Sequence, residues 1–280
     1  LKNIKMNYAK IGNMGDLLNE LIVEELFGYE ITHSNKWKCE TTGIGSSLNA
    51  FFPKKSEVVG SFPKKLVKSF YGRLQAPLQV WSTGFINYSD EDHISIRSNV
   101  NIAAVRGELS RQRLEKILNR NLDVPTGDGG LLASELVKNK ATKKYKVGII
   151  PHFKEKNEQK FFDLLNNYNN STLIDLTIDP LTVVEQIGEC ETILSSSLHG
   201  LIVADSFGIP NKRLTYTNNL MGDGFKFNDY YSAFNVDPKI CDLKVDSFPE
   251  VNEIYNDYLI DSSIVEFKKE QLRTSFNKYL

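Results

Sequence analysis

Cysteine is scarce in this chain. Cys39, Cys190 and Cys241 are spread over 280 residues and form no CxxC pair. That argues against a disulfide framework or a thiolate zinc site and fits a reducing compartment. Histidine is also sparse, with four residues and no two at ligand spacing, so no metal site is expected. No apolar run approaches the ~20 residues needed to span a bilayer. Leu1–Gly15 lacks the charged-then-apolar pattern of a secretion signal, and the expected location is the cytoplasm. A charge excess is missing too: 34 Lys and Arg stand against 35 Asp and Glu, a net of -1. Residues 1–140 hold 19 basic against 15 acidic residues (+4), and 141–280 hold 15 against 20 (-5). The weakly basic first half suits an anionic acceptor. No basic tract is interleaved with stacking aromatics, so nucleic acid is not an expected partner.

What is present is an ordinary core-forming composition, 41% apolar and 25% charged, enough for one large or two medium domains. Helical stripes and extended apolar runs alternate. Leu18, Leu21, Ile22 and Leu26 mark a helix with Asp16 as its expected N-cap. The pattern predicts strands at 79–86, interrupted by a Thr83-Gly84 turn, and at 102–105, then a helix at 108–118 and a loop, Thr126–Gly130, feeding a short helix through Leu136. Strands at 145–151, 171–175 and 192–196 then alternate with helices at 155–168, 180–188 and from 197 to Gly208. This is the signature of α/β parallel sheets covered on both faces. Five lysines between Lys138 and Lys146 mark the best boundary. The expected division is 1–140, 141–260, and a terminal helix in 261–280 packed through Val265, Leu272, Phe276 and Tyr279. The Lys54-Lys55 and Lys64-Lys65 pairs read as solvated surface.

The chemistry concentrates at Thr192–Asn211, a buried strand ending in Ser195, Ser196 and Ser197, then a helix opening on His199 and Gly200. The unpaired amides of a helix start hold anions. An imidazole beside them, with an ordinary pKa near 6.5, can move protons. A histidine on an apolar helix is often only core, but the first turn after three serines favours catalysis. Gly12 and Gly15 around Asn13 suggest a tight strand-to-helix turn, with Asp16 as a cap or a base facing a cleft. Arg106 ends a strand and can grip carboxylate or phosphate. Asp128 between Gly127 and Gly129 reads as a backbone nest or a helix entry. His152 follows a strand, at the carboxyl edge where open sheets bind ligands.

Ser195-Ser-Ser-Leu-His-Gly-Leu-Ile-Val-Ala-Asp-Ser-Phe-Gly-Ile-Pro210 resembles the signature of polysaccharide pyruvyltransferases. Gly12-Asn-Met-Gly-Asp16, Val80-Trp-Ser-Thr-Gly-Phe85, Val105-Arg-Gly-Glu-Leu-Ser-Arg111, Gly127-Asp128 and Ile150-Pro-His152 add matches in the family's order. The resemblance implies two Rossmann-like domains facing across a cleft, similar to GT-B glycosyltransferases. It also implies transfer of the enolpyruvyl carbons of phosphoenolpyruvate onto a sugar, commonly as a cyclic ketal. The implied partners are phosphoenolpyruvate as donor substrate and a sugar or lipid-linked oligosaccharide as acceptor, with no tightly bound cofactor. Lipid-linked acceptors bring an expectation of peripheral contact with the inner face of the cytoplasmic membrane. His199 falls on the family's principal catalytic histidine and Arg106 on an arginine used for the donor. Many members carry Arg immediately before Leu-His-Gly, where this chain has Ser197. Donor binding would then rest on Ser195, Ser196, the helix amides, and Arg213 or Lys212. The alternatives are a nucleotide-sugar-dependent glycosyltransferase and a non-catalytic glycan-binding homologue.

Overall fold

The computed structural model describes residues 2–10, 12–59, 76–138, 142–217 and 223–280. The Lys64-Lys65 pair and part of the lysine-rich boundary lie outside them. In the first half, β1 (Lys2–Asn7), α1 (Met14–Phe27), β2 (Tyr29–His33) and β3 (Thr41–Thr42) come first. The short helices α2 (Leu48–Phe51) and α3 (Lys55–Val59), then β4 (Leu78–Val80), β5 (Val100–Ile102) and α4 (Glu108–Leu118), follow. After a 3₁₀ segment, Gly129–Leu136, come β6 (Tyr145–Ile150), α5 (Gln159–Asn167), β7 (Ser171–Leu173), α6 (Pro180–Gly188) and β8 (Cys190–Ser195). The chain ends with α7 (Leu198–Ser206), β9 (Asn211–Thr215), α8 (Phe225–Ser232), β10 (Ile240–Asp242), α9 (Val251–Asp257) and α10 (Ser262–Phe276).

Among the described residues the strands form two five-stranded sheets ordered β2-β1-β3-β4-β5 and β10-β9-β8-β6-β7, with every strand pairing parallel. Numbered within each half, both read 2-1-3-4-5, one of the two common orders of doubly wound sheets. Apolar side chains fill three clusters. One, with Leu48, Phe51 and Leu114, packs against an outer face of the first sheet, and another, with Phe161, Leu164 and Ile254, packs against the second. The third is continuous between them, joining Ile4, Met6 and Leu18 of the first half to Leu201, Ile202 and Val203 of α7.

Several elements are shorter than the hydropathy pattern suggests. The strand expected at 79–86 ends at Val80, because Ser82 turns the chain with φ 57°. The helix expected from Glu155 begins at Gln159, because Glu155 folds inward to serve the site described below. Asp16 is not the N-cap of α1. Asn13 is, with extended dihedrals and its Oδ1 accepting the Gly15 N–H at 3.0 Å. In the tail, Val265, Leu272 and Phe276 are buried and Tyr279 is exposed. α10 returns to the first sheet: the Trp81 indole N–H donates to the Leu272 carbonyl at 3.1 Å, and the Gln79 amide donates to the Phe276 carbonyl at 2.8 Å.

Candidate active site

In a 2-1-3-4-5 sheet the connections after strands one and three leave in opposite directions, opening a crevice at the strands' carboxyl ends. Here both crevices open onto one cavity of about 240 Å³. From the first sheet, the chain after β1 supplies Ala9, Asn13 and Asp16, and the chain after β3 supplies Ile44, Gly45, Ser46 and Ser47. From the second, the chain after β6 supplies His152, Phe153 and Lys154, and the chain after β8 supplies Ser197, Leu198 and His199. Lys226, in the first turn of α8, also lines it.

The His199 imidazole lies against the backbone of Gly15, so closely that a Cβ there would sit 1.9 Å from Nδ1. Gly12, with φ 70°, makes the turn ahead of α1, whereas Gly15 is helical and leaves room for the ring. Nε2 of His199 is buried and makes no hydrogen bond among the described residues. Burial, reinforced by the positive charges of Lys226 and Arg106, pushes its pKa down to about 3. The resting imidazole is therefore neutral at physiological pH. His152 is pushed down to about 4, again chiefly by burial.

The serines beneath α7 hold the loops in place. Ser195 Oγ donates to the Ile150 and Ser197 carbonyls, each at 3.0 Å, and accepts the Ser197 N–H. Ser196 Oγ accepts the His152 N–H at 2.9 Å and donates to Glu155 at 2.6 Å. Glu155, fully buried, also accepts the backbone N–H and the hydroxyl of Thr217. Ser197 occupies the N-cap position of α7 without a side-chain cap bond and faces the cavity. Gly200 packs against Ser195 and Ile150 away from the cavity.

On the opposite wall Asp16 is 8% exposed, and its Oδ2 accepts from Asn13 Nδ2 at 2.6 Å. Burial raises its pKa to about 6, against the lowering effects of Asn13 and Lys226. Lys226 has no ion-pair partner among the described residues, and burial lowers its pKa to about 8. Its charge is intact below that value and is lost as pH rises through it. Above about pH 7, where Asp16 is already ionised, the cavity's affinity for sulfate, whose charge is constant in this range, should fall severalfold by about pH 9 as Lys226 loses its charge. Lys226→Gln should abolish that step. Titration calorimetry across this range checks it, and a wild-type profile unchanged through pH 8 contradicts it.

Gly15, Ser195, Ser196 and Gly200 lie behind the cavity wall, and four charged residues singled out in the sequence, Arg106, Asp128, Arg213 and Lys212, do not line it either. Arg106 is fully buried, and its five donors are committed to protein acceptors. Nε and Nη2 lie 2.9 Å from Asp229 Oδ2, Nη1 donates to the Gly45 carbonyl and Ser46 Oγ, and Nη2 donates to the Phe85 carbonyl. It therefore positions the Gly45–Ser47 loop and α8 instead of gripping a ligand. Asp128 is fully buried as the N-cap of the 3₁₀ segment, with Oδ2 unpaired and a pKa pushed up to about 7 by burial. Arg213 lies over the Phe227 ring at 3.8 Å and borders a separate cavity. Lys212 pairs with Asp257 at 2.6 Å, which removes it from donor binding. Lys226, Lys154, Glu155 and the Gly45–Ser47 loop were not identified from sequence, because isolated lysines and short loops carry no periodic signal.

Among the described residues, no three His, Cys, Asp or Glu side chains gather as metal ligands, and no helix is long and apolar enough to cross a membrane. Two parallel α/β sheets thus bring a buried histidine, a carboxylate and two lysines without ion-pair partners among the described residues to one crevice. Residues 69–218 match the family model for polysaccharide pyruvyl transferase, and the chain belongs to that family. Protein L143 of Acanthamoeba polyphaga mimivirus is 28% identical over 97% of this chain and 90% of its own length. The succinoglycan biosynthesis protein ExoV of Rhizobium meliloti (strain 1021) is 25% identical over 80% of this chain, and the match spans 62% of ExoV. A crystal structure of a functionally uncharacterized protein from Klebsiella pneumoniae superposes with a TM-score of 0.45 at 15% identity, over 86% of this chain and 92% of that one.

Proposed function

We propose that the protein transfers pyruvate from phosphoenolpyruvate to a sugar of a surface polysaccharide, or of its lipid-linked precursor, as a cyclic ketal. The observation that carries this reading is the unpartnered Nε2 of His199 in a cavity that also holds unpaired Lys226. Family membership and the relative named for succinoglycan biosynthesis point the same way. In this reading the halves 1–140 and 141–260 serve acceptor and donor in a GT-B-like arrangement, at or near the inner face of the membrane.

Lys226, Lys154 and the first amides of α7 hold the donor's phosphate and carboxylate. Burial is the larger cause of the low His199 pKa, and the fields of Lys226 and Arg106 add to it. The donor's negative charges stabilise the imidazolium against both, so donor binding raises the pKa and favours the protonated form. His199 gives that proton to the methylene carbon. The adjacent C2 then carries positive character, and a sugar hydroxyl attacks it. Asp16, ionised above about pH 6, receives the hydroxyl proton across the cavity. Cleavage of the C2–O bond releases phosphate, and the neighbouring hydroxyl closes the ketal. Of the two hydroxyl protons, one replaces the proton given by His199 and the other leaves on phosphate.

Purified protein should release phosphate from phosphoenolpyruvate only in the presence of a suitable acceptor, with product mass showing gain of one pyruvylidene group. The panel to test is lipid-linked and synthetic galactosides, glucosides and N-acetylmannosaminides. Tight binding of a nucleotide sugar with no binding of phosphoenolpyruvate would overturn this reading in favour of a glycosyltransferase.

A further inference from the structure

A second cavity, of about 300 Å³, adjoins the first and plays no part in the chemistry above. Its lining includes Tyr88, Asp90, Gln112, Arg113, Lys116 and Phe225. Two segments line both cavities. Ile86 faces the catalytic cavity and Tyr88, two residues on, faces the second; Lys226 faces the first and Phe225, its neighbour, the second. Asp223 ties these segments together by accepting the Tyr88 N–H at 3.1 Å and the Phe225 N–H at 3.1 Å. The floor is fixed: the Arg113 guanidinium lies 4.0 Å over the Phe85 ring and donates to the Asn87 carbonyl at 2.9 Å.

The lining combines an aromatic face with free polar groups. Tyr88 is 58% exposed, and its ring lies 6.4 Å from that of Phe225, tilted 47° to it. The Tyr88 hydroxyl donates to Asp90, which holds both at the rim. The side chains of Gln112 and Lys116 have no hydrogen-bond or ion-pair partner among the described residues. A sugar ring presents an apolar C–H face to an aromatic and hydroxyls to planar amides and carboxylates, and this cavity is at the lower end of the ~300–1,000 Å³ of small-molecule sites.

We propose that this cavity binds the sugar unit next to the one modified, so that the acceptor is an oligosaccharide of at least two units and Tyr88 is its stacking platform. The position of this sugar beside the modified one rests on the proposed transfer; carbohydrate binding in the cavity does not. Saturation-transfer NMR on the full chain uses galactose- and glucose-containing di-, tri- and tetrasaccharides as probes, with the free monosaccharides alongside. Oligosaccharides should bind better than monosaccharides. Tyr88→Ala should weaken them about five- to tenfold, and Tyr88→Phe, which keeps the ring and loses only the bond to Asp90, by about twofold at most. Gln112→Ala, at an exposed position, provides a second variant that should also weaken binding. Binding indifferent to Tyr88→Ala and Gln112→Ala, or no engagement of any oligosaccharide at roughly 10 mM, overturns the proposal. Oligosaccharide binding lost in Tyr88→Ala but with no phosphate release would sink the transferase reading and leave the subsite standing. Phosphate release from an oligosaccharide acceptor that Tyr88→Ala does not alter would do the reverse.

Discussion

Replacing Gly15 with Ala should reduce turnover about a thousandfold while leaving the protein folded. The new Cβ would sit 1.9 Å from His199 Nδ1 and 2.3 Å from its Cγ, far inside contact distance, so the imidazole must leave its position. The neighbouring structure has little room to yield, because α7 is buried on almost every face and α1 carries Met14, Leu18 and Ile22 in the core. Backbone strain does not confound the test. Gly15 is helical, where Ala is favoured over Gly by about 1 kcal/mol. Forcing the ring aside in a packed core costs about 1–3 kcal/mol, only partly offset by the helix preference for Ala, so a melt lowered by about 2–6 °C together with a far larger loss of turnover is the expected pair of results. His199→Gln should lose about as much, and the double variant should lose no more than either single one, because both remove the same group. Additive losses would mean that Gly15 serves something other than the histidine.

The second large effect is on stability. Asp229 is fully buried and ties together elements from both halves of the chain. It pairs with Arg106, and its oxygens accept the Ser110 N–H and hydroxyl, each at 2.7 Å, capping the start of α4 from outside. The α4 N-cap residue, Gly107, has no side chain to do this, and a Cβ there would lie 1.6 Å from the Asp229 carbonyl oxygen. Asp229→Ala leaves the Arg106 charge buried and unpaired, a cost of about 3–5 kcal/mol, and a melting temperature lower by roughly 10 °C is expected from calorimetry. Activity should fall too, because Lys226 is one helical turn from Asp229 and Arg106 holds the Gly45–Ser47 loop. An unchanged melt would show that the pair contributes little to holding the halves together.

The sequence made the second sheet more legible than the first. β6, β8 and α6 are long apolar runs or clean stripes, and they lie within about two residues of where hydropathy puts them. β3 has only Thr41 and Thr42, buried but polar, and no periodicity exposes a strand of that length. His199, His152, Asn13, Asp16 and Ser197 stand out in the sequence because each follows the end of a strand, and the fold brings all five to one cavity. Arg106 shows the limit of that reasoning. An arginine at a strand end looks like an anion clamp until its partner, Asp229, is found 123 residues away. The same long separation hid Glu155 beneath Ser196 and Thr217, and Lys226 opposite Asp16.

In the proposed reaction a proton reaches the methylene carbon of phosphoenolpyruvate in this cavity and stays there. The direct measurement is the product's methyl group after reaction in D₂O, read by NMR and mass spectrometry. A single deuterium in a new methyl group, formed together with released phosphate and lost in His199→Gln, is the result this account requires. A product that keeps the carbon–carbon double bond, or a deuterated methyl formed equally well by His199→Gln, would contradict it.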